Sequence, residues 1–438
     1  MTSLPELAPE NNFPTFPKVN NNYQYVLLRH REITDIDNLN VYRRNGGFQA
    51  FEDAVKRLKP ADVTDLVKAS GLRGRGGAGF PTGLKWNFID NNNWPHYVVA
   101  NADESEPGTF KDRELIARNP YQFLEGLAIC AYAVQAREAY IYLRGEFWEL
   151  ANQLDGHIAA MEAVGLLGNN LFGKDYSLKV YTHLGAGAYI CGEETAMLES
   201  MEGKIGQPRL RPPFPPSFGL FGKPTIVNNV ETLTNVPMIL KKGVDWYRSI
   251  GTPKSPGPKV FSLSGCIKKP GNYELPLGTT FRELIFHHGG GLADGRKIKA
   301  IMSAGASSAL IVADDRALDT PMDYESVPNV GGQLGSASII VIDDSVSIPW
   351  LINKTVHFFR HESCGKCTPC REGTYWMEKL TERIAHKEGT PGHTLEEEAE
   401  LLYEVASQIK GKCFCALGEF SIEAVLSGIE RFRSDFTS

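Results

Sequence analysis

The chain changes its hydrophobic rhythm three times. Residues 1–70 open with a polar, Asn-rich leader, then place apolar residues three and four apart in Phe51–Leu58 and Asp62–Lys68, the spacing of amphipathic helices. From 71 to 252, short β-branched and aromatic runs alternate with helical stretches. Tyr97–Ala100 and Glu138–Arg144 read as strands, and Pro120–Val134 and roughly Glu149–Val164 as helices. Leu178–Thr182 reads as a strand entering a glycine turn and a helix through Glu199. This alternation predicts an α/β layer structure, interrupted by a proline-rich loop, Pro208–Pro224. Pro253–Pro258 has the composition of a linker. Beyond it, Lys259–Ser264, a turn at Pro270–Gly271, Tyr273–Pro276, a helical Thr280–His287 and a strand at Ser338–Ile342 suggest a small β-grasp-like unit. From Ile348 onward the spacing is helical, in Tyr375–Ala385, Leu395–Ile409 and Ser421–Phe432, and predicts a helical bundle. The expected division is 1–70, a leader and helical segment; 71–252, α/β; 253–345, β-grasp; and 346–438, helical bundle.

Composition narrows the function classes. A chain of 438 residues can bury more than one core, and 42% hydrophobic with 22% charged residues describes a soluble globular protein. A net charge of −6 gives no reason to expect nucleic acid as a partner. Eight cysteines without a secretory signal predict a reducing compartment. Thr2–Asn12 is acidic and lacks arginine, unlike a mitochondrial transit peptide. No apolar run approaches the roughly 18 residues of a membrane span, so no direct membrane insertion is expected.

The cysteines carry the strongest chemical signal. Cys364, Cys367 and Cys370 form a C-x2-C-x2-C run, and Cys415 follows a long helical stretch. Three thiolates on one loop and a remote fourth can hold the corners of a [4Fe–4S] cube. Structural zinc more often takes two separated pairs, and a disulfide framework does not suit a long, cysteine-poor chain. Cys413, two residues before Cys415, leaves the fourth ligand ambiguous, although the following Ala-Leu-Gly favours Cys415.

Two glycine-rich turns add a second signal. Gly74-Arg-Gly-Gly-Ala-Gly79 matches G-x-G-x-x-G, but the segment before it reads as a helix, so the usual strand–turn–helix context fails. Glycines still let a phosphate approach the backbone, with Arg73, Arg75 and Lys85 nearby; the alternative is a flexible surface loop. Asn101, Asp103, Glu104 and Glu106 end a β run, where α/β sheets bind ligands. They could meet ribityl, ribose or a ring, or bind a metal, or form a solvated turn. The second turn, Gly185–Gly192, follows a strand and precedes a helix. Glu193 and Glu194 suit that helix start but would repel a phosphate, which favours a ring or ribose there. Asn228 and Asn229 are either helix caps or cofactor ligands.

Together Gly71–Trp86, Asn101–Phe110, Gly187–Ala196 and Glu362–Gly373 resemble the signatures of the flavoprotein subunit family of respiratory complex I. That family is the NADH-oxidising F-subunit of the bacterial proton-translocating NADH:quinone oxidoreductase. The resemblance covers almost everything beyond about residue 40. It implies a Rossmann-like flavin domain, a ubiquitin-like (β-grasp) domain without chemistry of its own, and a helical bundle holding a [4Fe–4S] cluster. It implies FMN held by Gly74, Arg75, Gly76, Lys85, Asn228, Asn229 and Thr232, with the flavin ring near Asn101, Asp103, Glu104, Gly192 and Glu193. It places NADH on Gly77, Ala78, Phe80, Phe88, Glu106, Tyr189, Glu194 and Phe214, with Arg211 nearby, and the cluster on Cys364, Cys367, Cys370 and Cys415. Hydride moves directly between nucleotide and flavin, so no general base is expected; Glu106 and Glu194 position NADH. The implied partners are a small thioredoxin-like [2Fe–2S] subunit and a large multi-cluster subunit, on the cytoplasmic side of the inner membrane. Two alternatives stand beside this reading. One is the diaphorase subunit of an NAD-linked hydrogenase or formate dehydrogenase. The other is a zinc-stabilised, non-catalytic assembly scaffold.

Overall fold

A computed structural model describes residues 24–388 and 390–436, so the Asn-rich leader lies outside the described residues. Helices α1 (Leu39–Arg44), α2 (Gln49–Arg57), α3 (Pro60–Ser70) and α4 (Thr82–Asn87) come before the first strand. Proline in the first turn of α3 needs no N–H partner there, and Gly71, at φ +72°, ends the helix in a conformation that favours glycine. The chain then runs β1 (Tyr97–Ala102), α5 (Lys111–Arg118), α6 (Pro120–Ala133), β2 (Glu138–Leu143), α7 (Trp148–Ala163), β3 (Lys179–Leu184), α8 (Glu194–Met201), β4 (Thr225–Asn229), α9 (Val230–Lys242) and α10 (Val244–Arg248).

These strands form one fully parallel sheet in the order β3-β2-β1-β4. Val98, Val99 and Ala100 are buried on both faces of β1, which explains a continuous apolar run rather than an alternating one. The sheet runs outward from β1 through β2 to β3, then returns to place β4 on the other edge of β1. The carboxyl ends of β1 and β4 therefore flank a topological switch point, where open α/β sheets bind ligands. Asn101 and Asn229 lie side by side there, paired in register.

One apolar core extends from Val26 to Val260 and includes Phe51, Val63 and Val67. The N-terminal helical segment is thus packed into the α/β layer and is not a separate unit. The 253–258 segment departs from its linker-like composition. Ser255, Pro256, Gly257 and Pro258 are buried, and the Pro256 carbonyl accepts from Arg75 Nη2 at 2.8 Å. Proline and glycine here shape a turn against a buried cation.

The next layer comprises β5 (Pro258–Gly265), β6 (Gly271–Pro276), a wide helical turn at Glu283–His288, β7 (Ile298–Ala306), β8 (Leu310–Val312), α11 (Asp315–Leu318) and β9 (Ser338–Asp343). Its sheet order is β6-β5-β9-β7-β8, with first and last strands adjacent and parallel and all other pairs antiparallel. That is a β-grasp arrangement. One face encloses Phe261, Phe281 and Ile301. The other presents Ala300, Met302, Leu310 and Ile342 to a bundle of α12 (Ile348–Glu362), α13 (Thr368–His386), α14 (Leu395–Ile409) and α15 (Ala416–Arg431). Among the described residues, no helix is long and apolar enough to cross a membrane. A further buried cluster joins Val99 and Tyr142 of the parallel sheet to Ile190, Ala306, Phe359, Cys370 and Leu417. There all three units meet, just beyond the carboxyl ends of β1 and β2.

Candidate active site

The first glycine loop lies between α3 and α4, confirming that a helix and not a strand precedes it. It is held from below. Gly74 N donates to the Phe80 carbonyl (2.9 Å), Tyr324 donates to the Gly74 carbonyl (2.7 Å), and Arg75 N donates to Thr232 Oγ1 (2.8 Å). A Cβ at Gly76 would lie 2.9 Å from Asn229 Cβ, whereas Gly77 faces open space. The cradle is therefore closed on the Asn229 side and open where a ligand can enter.

The cations near this loop are already engaged. Arg75 is buried: its Nη2 donates to Tyr247 and to the Pro256 carbonyl, while its Nε and Nη1 are sealed from solvent with no partner among the described residues. Lys85 pairs with Glu194 at 2.7 Å, and Arg73 pairs with Glu325. An anion here would meet backbone N–H groups more directly than free positive side chains. The rim is aromatic: Phe80, Phe88 and Phe214 are 46%, 53% and 53% exposed, and the rings of Phe80 and Phe88 lie 6.2 Å apart. Large exposed rings around a polar cradle suit a flat nucleotide.

Side chains at the ends of β1 and β4 take three roles. Asn101 Nδ2 donates to the Gly192 carbonyl (2.9 Å), fixing the second glycine turn against the first strand. Asn228 accepts from Trp86 Nε1 (2.8 Å), and Asn229 caps α9 by accepting from Glu231 N (2.9 Å). Glu104 is turned toward α5, where its two oxygens accept from Asp112 N (2.6 Å) and Arg113 N (3.1 Å). Its carbonyl accepts from Arg144 Nη1 at 2.7 Å. Glu193 caps α8 through one oxygen, and its other oxygen lies 3.6 Å from Arg211 Nη1.

Asp103 differs from its neighbours. Ser105 donates to one oxygen at 2.5 Å, while Oδ2 is sealed from solvent with no partner. Burial raises its pKa to about 7, against the pull of Ser105 and Arg144. This unpartnered carboxyl oxygen lies 3.8 Å from where a Cβ at Gly192 would sit, and it fits a ligand that brings its own donor. The folded state holds the extra proton between about pH 4 and pH 7, so this group makes stability fall as pH rises through that window. Asp103→Asn is expected to reduce that fall, measured as urea midpoints at pH 5 and 7.5. Glu104, raised by burial and by Asp112, leaves a residual slope. An unchanged slope would show that Asp103 ionises normally.

Tyr189 to Gly192 form a short helical turn between β3 and α8. The Tyr189 hydroxyl donates to Glu106 Oε2 (2.8 Å), while Tyr189 N donates to Glu362 Oε2 (2.9 Å). Its ring meets Phe358 and Phe359 edge-on at 5.2 and 5.8 Å. The next residue, Ile190, lines a hollow with Cys364, Cys367, Cys370 and Cys415, alongside Pro208, Ser363, Lys366, Phe414 and Leu417. Ser363 Oγ lies 3.2 Å from Cys370 Sγ. Enclosure raises the thiol pKa of Cys370 to about 11 and of Cys415 to about 12, so loading a thiolate-bound metal group releases protons. Among the described residues, no three His, Cys, Asp or Glu side chains converge on a single ion, whereas the four thiols line a space, as a cube requires. Cys413 is not among the lining residues: it lies beside Cys367 in the same buried cluster, but its Sγ is 3.9 Å from the Ile409 carbonyl and sits over Gly418.

Residues 67–238 match the model of the Nuo51 FMN-binding domain, 260–307 the SLBB domain, and 350–438 the iron–sulfur binding region of NADH-ubiquinone oxidoreductase-F. The chain is 46% identical over 417 residues to the NADH-quinone oxidoreductase F-subunit 2 of Rhizobium meliloti, covering 95% of this chain and 97% of that one. It belongs to the F-subunit family of NADH-quinone oxidoreductases. The F-subunit of Escherichia coli is 43% identical, with 91% of this chain and 88% of that one covered. Two solved structures of an NAD+-reducing [NiFe]-hydrogenase, H2-reduced and air-oxidised, superpose with TM-scores of 0.77 and 0.80 at 37% and 34% identity. They cover 86% and 95% of this chain; the chain spans about two thirds of theirs, 62% and 66%. Membership in the F-subunit family brings NADH oxidation to this chain, with FMN in residues 67–238 and a [4Fe–4S] cluster in 350–438. Ser307, Tyr324 and the side chain of Glu362 touch this site but escaped the sequence reading. Ser307 and Tyr324 belong to the β-grasp layer, where no local motif marks them.

Proposed function

We propose that this chain oxidises NADH within a membrane-associated NADH:quinone oxidoreductase and delivers electrons singly to partner subunits. When bound, FMN takes a hydride from NADH and the [4Fe–4S] cluster carries electrons one at a time. The observation that carries the reading is the 189–192 turn, which is tied to Asn101 and Glu106 at and beyond the carboxyl end of β1 and lines the thiol hollow through Ile190.

In this reading Gly74, Arg75 and Gly76, together with Asn229 and Thr232, cradle the FMN phosphate and ribityl chain, and Lys85 and Asn228 support that wall. Asn101, Asp103, Glu104, Gly192 and Glu193 surround the flavin ring, where Asp103 accepts or shares a proton at Oδ2. Gly77, Ala78, Phe80, Phe88 and Phe214 hold the nucleotide and exclude water, while Glu106, Tyr189, Glu194 and Arg211 orient its polar groups. Cys364, Cys367, Cys370 and Cys415 hold the cluster. Separate functional units over 71–252, 253–345 and 346–438 follow, with the 24–70 segment serving the first. A small thioredoxin-like [2Fe–2S] subunit and a large multi-cluster subunit receive the electrons, on the cytoplasmic side of the inner membrane. The higher identity to the NADH-quinone oxidoreductase relatives, 43–46% against 34–37% for the hydrogenase chains, supports this assembly over an NAD-linked hydrogenase.

Anaerobic purification tests the reading directly. The expected result is a flavin spectrum that bleaches on NADH, with about four irons per chain. A protein that remains colourless after reconstitution with FMN, iron and sulfide would refute it.

A further inference from the structure

Besides Tyr324 beneath the glycine cradle, the β-grasp layer reaches the site through the turn at 305–308. Between β7 and β8, Ala306 N donates to the Pro107 carbonyl (3.3 Å) and Ser307 N donates to Glu106 Oε1 (2.8 Å). The Ser307 side chain lies near the Glu106 carboxylate and the Tyr189 hydroxyl. Gln333, elsewhere in the same layer, donates to the Ser307 carbonyl at 3.0 Å and steadies the turn. Gly305 makes the approach possible. It holds φ +75°, and a Cβ there would lie 2.5 Å from the Pro107 carbonyl oxygen and 2.8 Å from Glu106 Oε1.

Glu106 is therefore gripped from two units. Tyr189 of the α/β layer holds Oε2 and Ser307 of the β-grasp layer holds Oε1. A carboxylate on a flexible side chain rotates freely when held at one oxygen; held at both, its remaining lone pairs point in fixed directions. We propose that the 305–308 turn is a positioning element of the NADH site, and that Ser307 orients Glu106 to receive the nucleotide. The inference rests on the assignment of Glu106 to NADH. The β-grasp layer then sets nucleotide affinity while leaving electron transfer untouched.

The test uses the whole chain loaded with FMN and cluster. The dissociation constant of NAD+ is read by titration calorimetry, and KM and kcat are read with NADH and ferricyanide. Ser307→Pro, which removes the N–H that holds Oε1, is expected to weaken NAD+ binding and raise KM by ~3- to 10-fold, with kcat within about twofold. Ser307→Ala keeps that N–H and should stay within about twofold of wild type. Gly305→Ala is expected to exceed about tenfold. In a Glu106→Gln background, Ser307→Pro should add little, because the two residues act as one unit. Should Glu106→Gln weaken binding while Ser307→Pro and Gly305→Ala do not, the positioning role is overturned and the assignment of Glu106 survives. If Glu106→Gln itself has no effect, that assignment fails, and the positioning role with it. Retained FMN and iron show that each variant folds.

Discussion

Cys415→Ala is expected to strip the protein of iron, while Cys413→Ala leaves it loaded. The two thiols are separated by one residue, yet only Cys415 lines the hollow shared with Cys364, Cys367 and Cys370. Cys413 turns its sulfur toward the Ile409 carbonyl and rests where Gly418 has no side chain. A cube needs a ligand at each iron, and even outer-shell changes weaken metal sites by about 10–100-fold. Loss of a ligand should therefore lower quinone-linked NADH oxidation at least about a hundredfold. The NADH:ferricyanide rate should stay within about twofold, because the flavin side keeps all its contacts. Iron content and the two rates, measured on the same preparation, check this. Iron lost from Cys413→Ala and kept by Cys415→Ala would exchange the ligand assignment.

Glu231→Gln is expected to be the most damaging single change to stability outside the cysteines. Glu231 is buried at the start of α9, with Lys259 Nζ at 2.5 Å and Lys111 Nζ at 2.9 Å, and its other oxygen accepts from Val260 N at 2.8 Å. Burial alone would raise its pKa; the two ammonium groups outweigh burial and hold it low. Burial depresses Lys259 to about 7, since it shares its carboxylate with Lys111. Glutamine keeps the shape but strands Lys259, while Lys111 keeps Asp112 Oδ1 at 2.8 Å. Removing one partner from a buried ion pair typically costs about 3–5 kcal/mol. Lys259→Met should cost less, because Glu231 retains Lys111. Flavin retention should also drop in Glu231→Gln, because Lys111 donates to Asn229 Oδ1 (3.3 Å) beside the glycine cradle. Urea midpoints and bound FMN per chain test both effects; an unchanged midpoint would mean the cluster is stable without its central anion.

Much of this architecture was legible because its elements repeat. The strands at 97–102, 138–143 and 179–184 announced themselves by apolar runs, and the bundle helices by three- and four-residue spacing. β4 did not. It is five residues long, Thr-Ile-Val-Asn-Asn, and its paired asparagines look like the helix cap that Asn229 also is. β7 hides because Ile298–Ala306 is rich in Ala, Ser and Gly, residues with little strand preference, and most of it is buried in the sheet. For the site, motifs placed residues at the right loops but could not aim them. The motif does not show that Arg75 Nη2 also anchors the loop to the Pro256 carbonyl. Nor does it show that the Glu104 carboxylate accepts from the first N–H groups of α5. Side-chain direction depends on partners remote in sequence, such as Tyr247 for Arg75, and those pairings become visible only when the layers pack.

The ion cluster around Glu231 gives the domain divisions a further meaning. Its members come from α5, α9 and β5, so a carboxylate of the α/β layer and an ammonium of the β-grasp layer neutralise each other across the seam. Arg75 crosses the same seam to the Pro256 carbonyl. Cutting near residue 252 would separate two recognisable folds, yet the β-grasp fragment would carry Lys259 without its carboxylate, and Glu231 would lose one of its two ammonium partners. The seam is a boundary of topology but not of autonomy: these units are modules in their pattern and a single cooperative body in their thermodynamics.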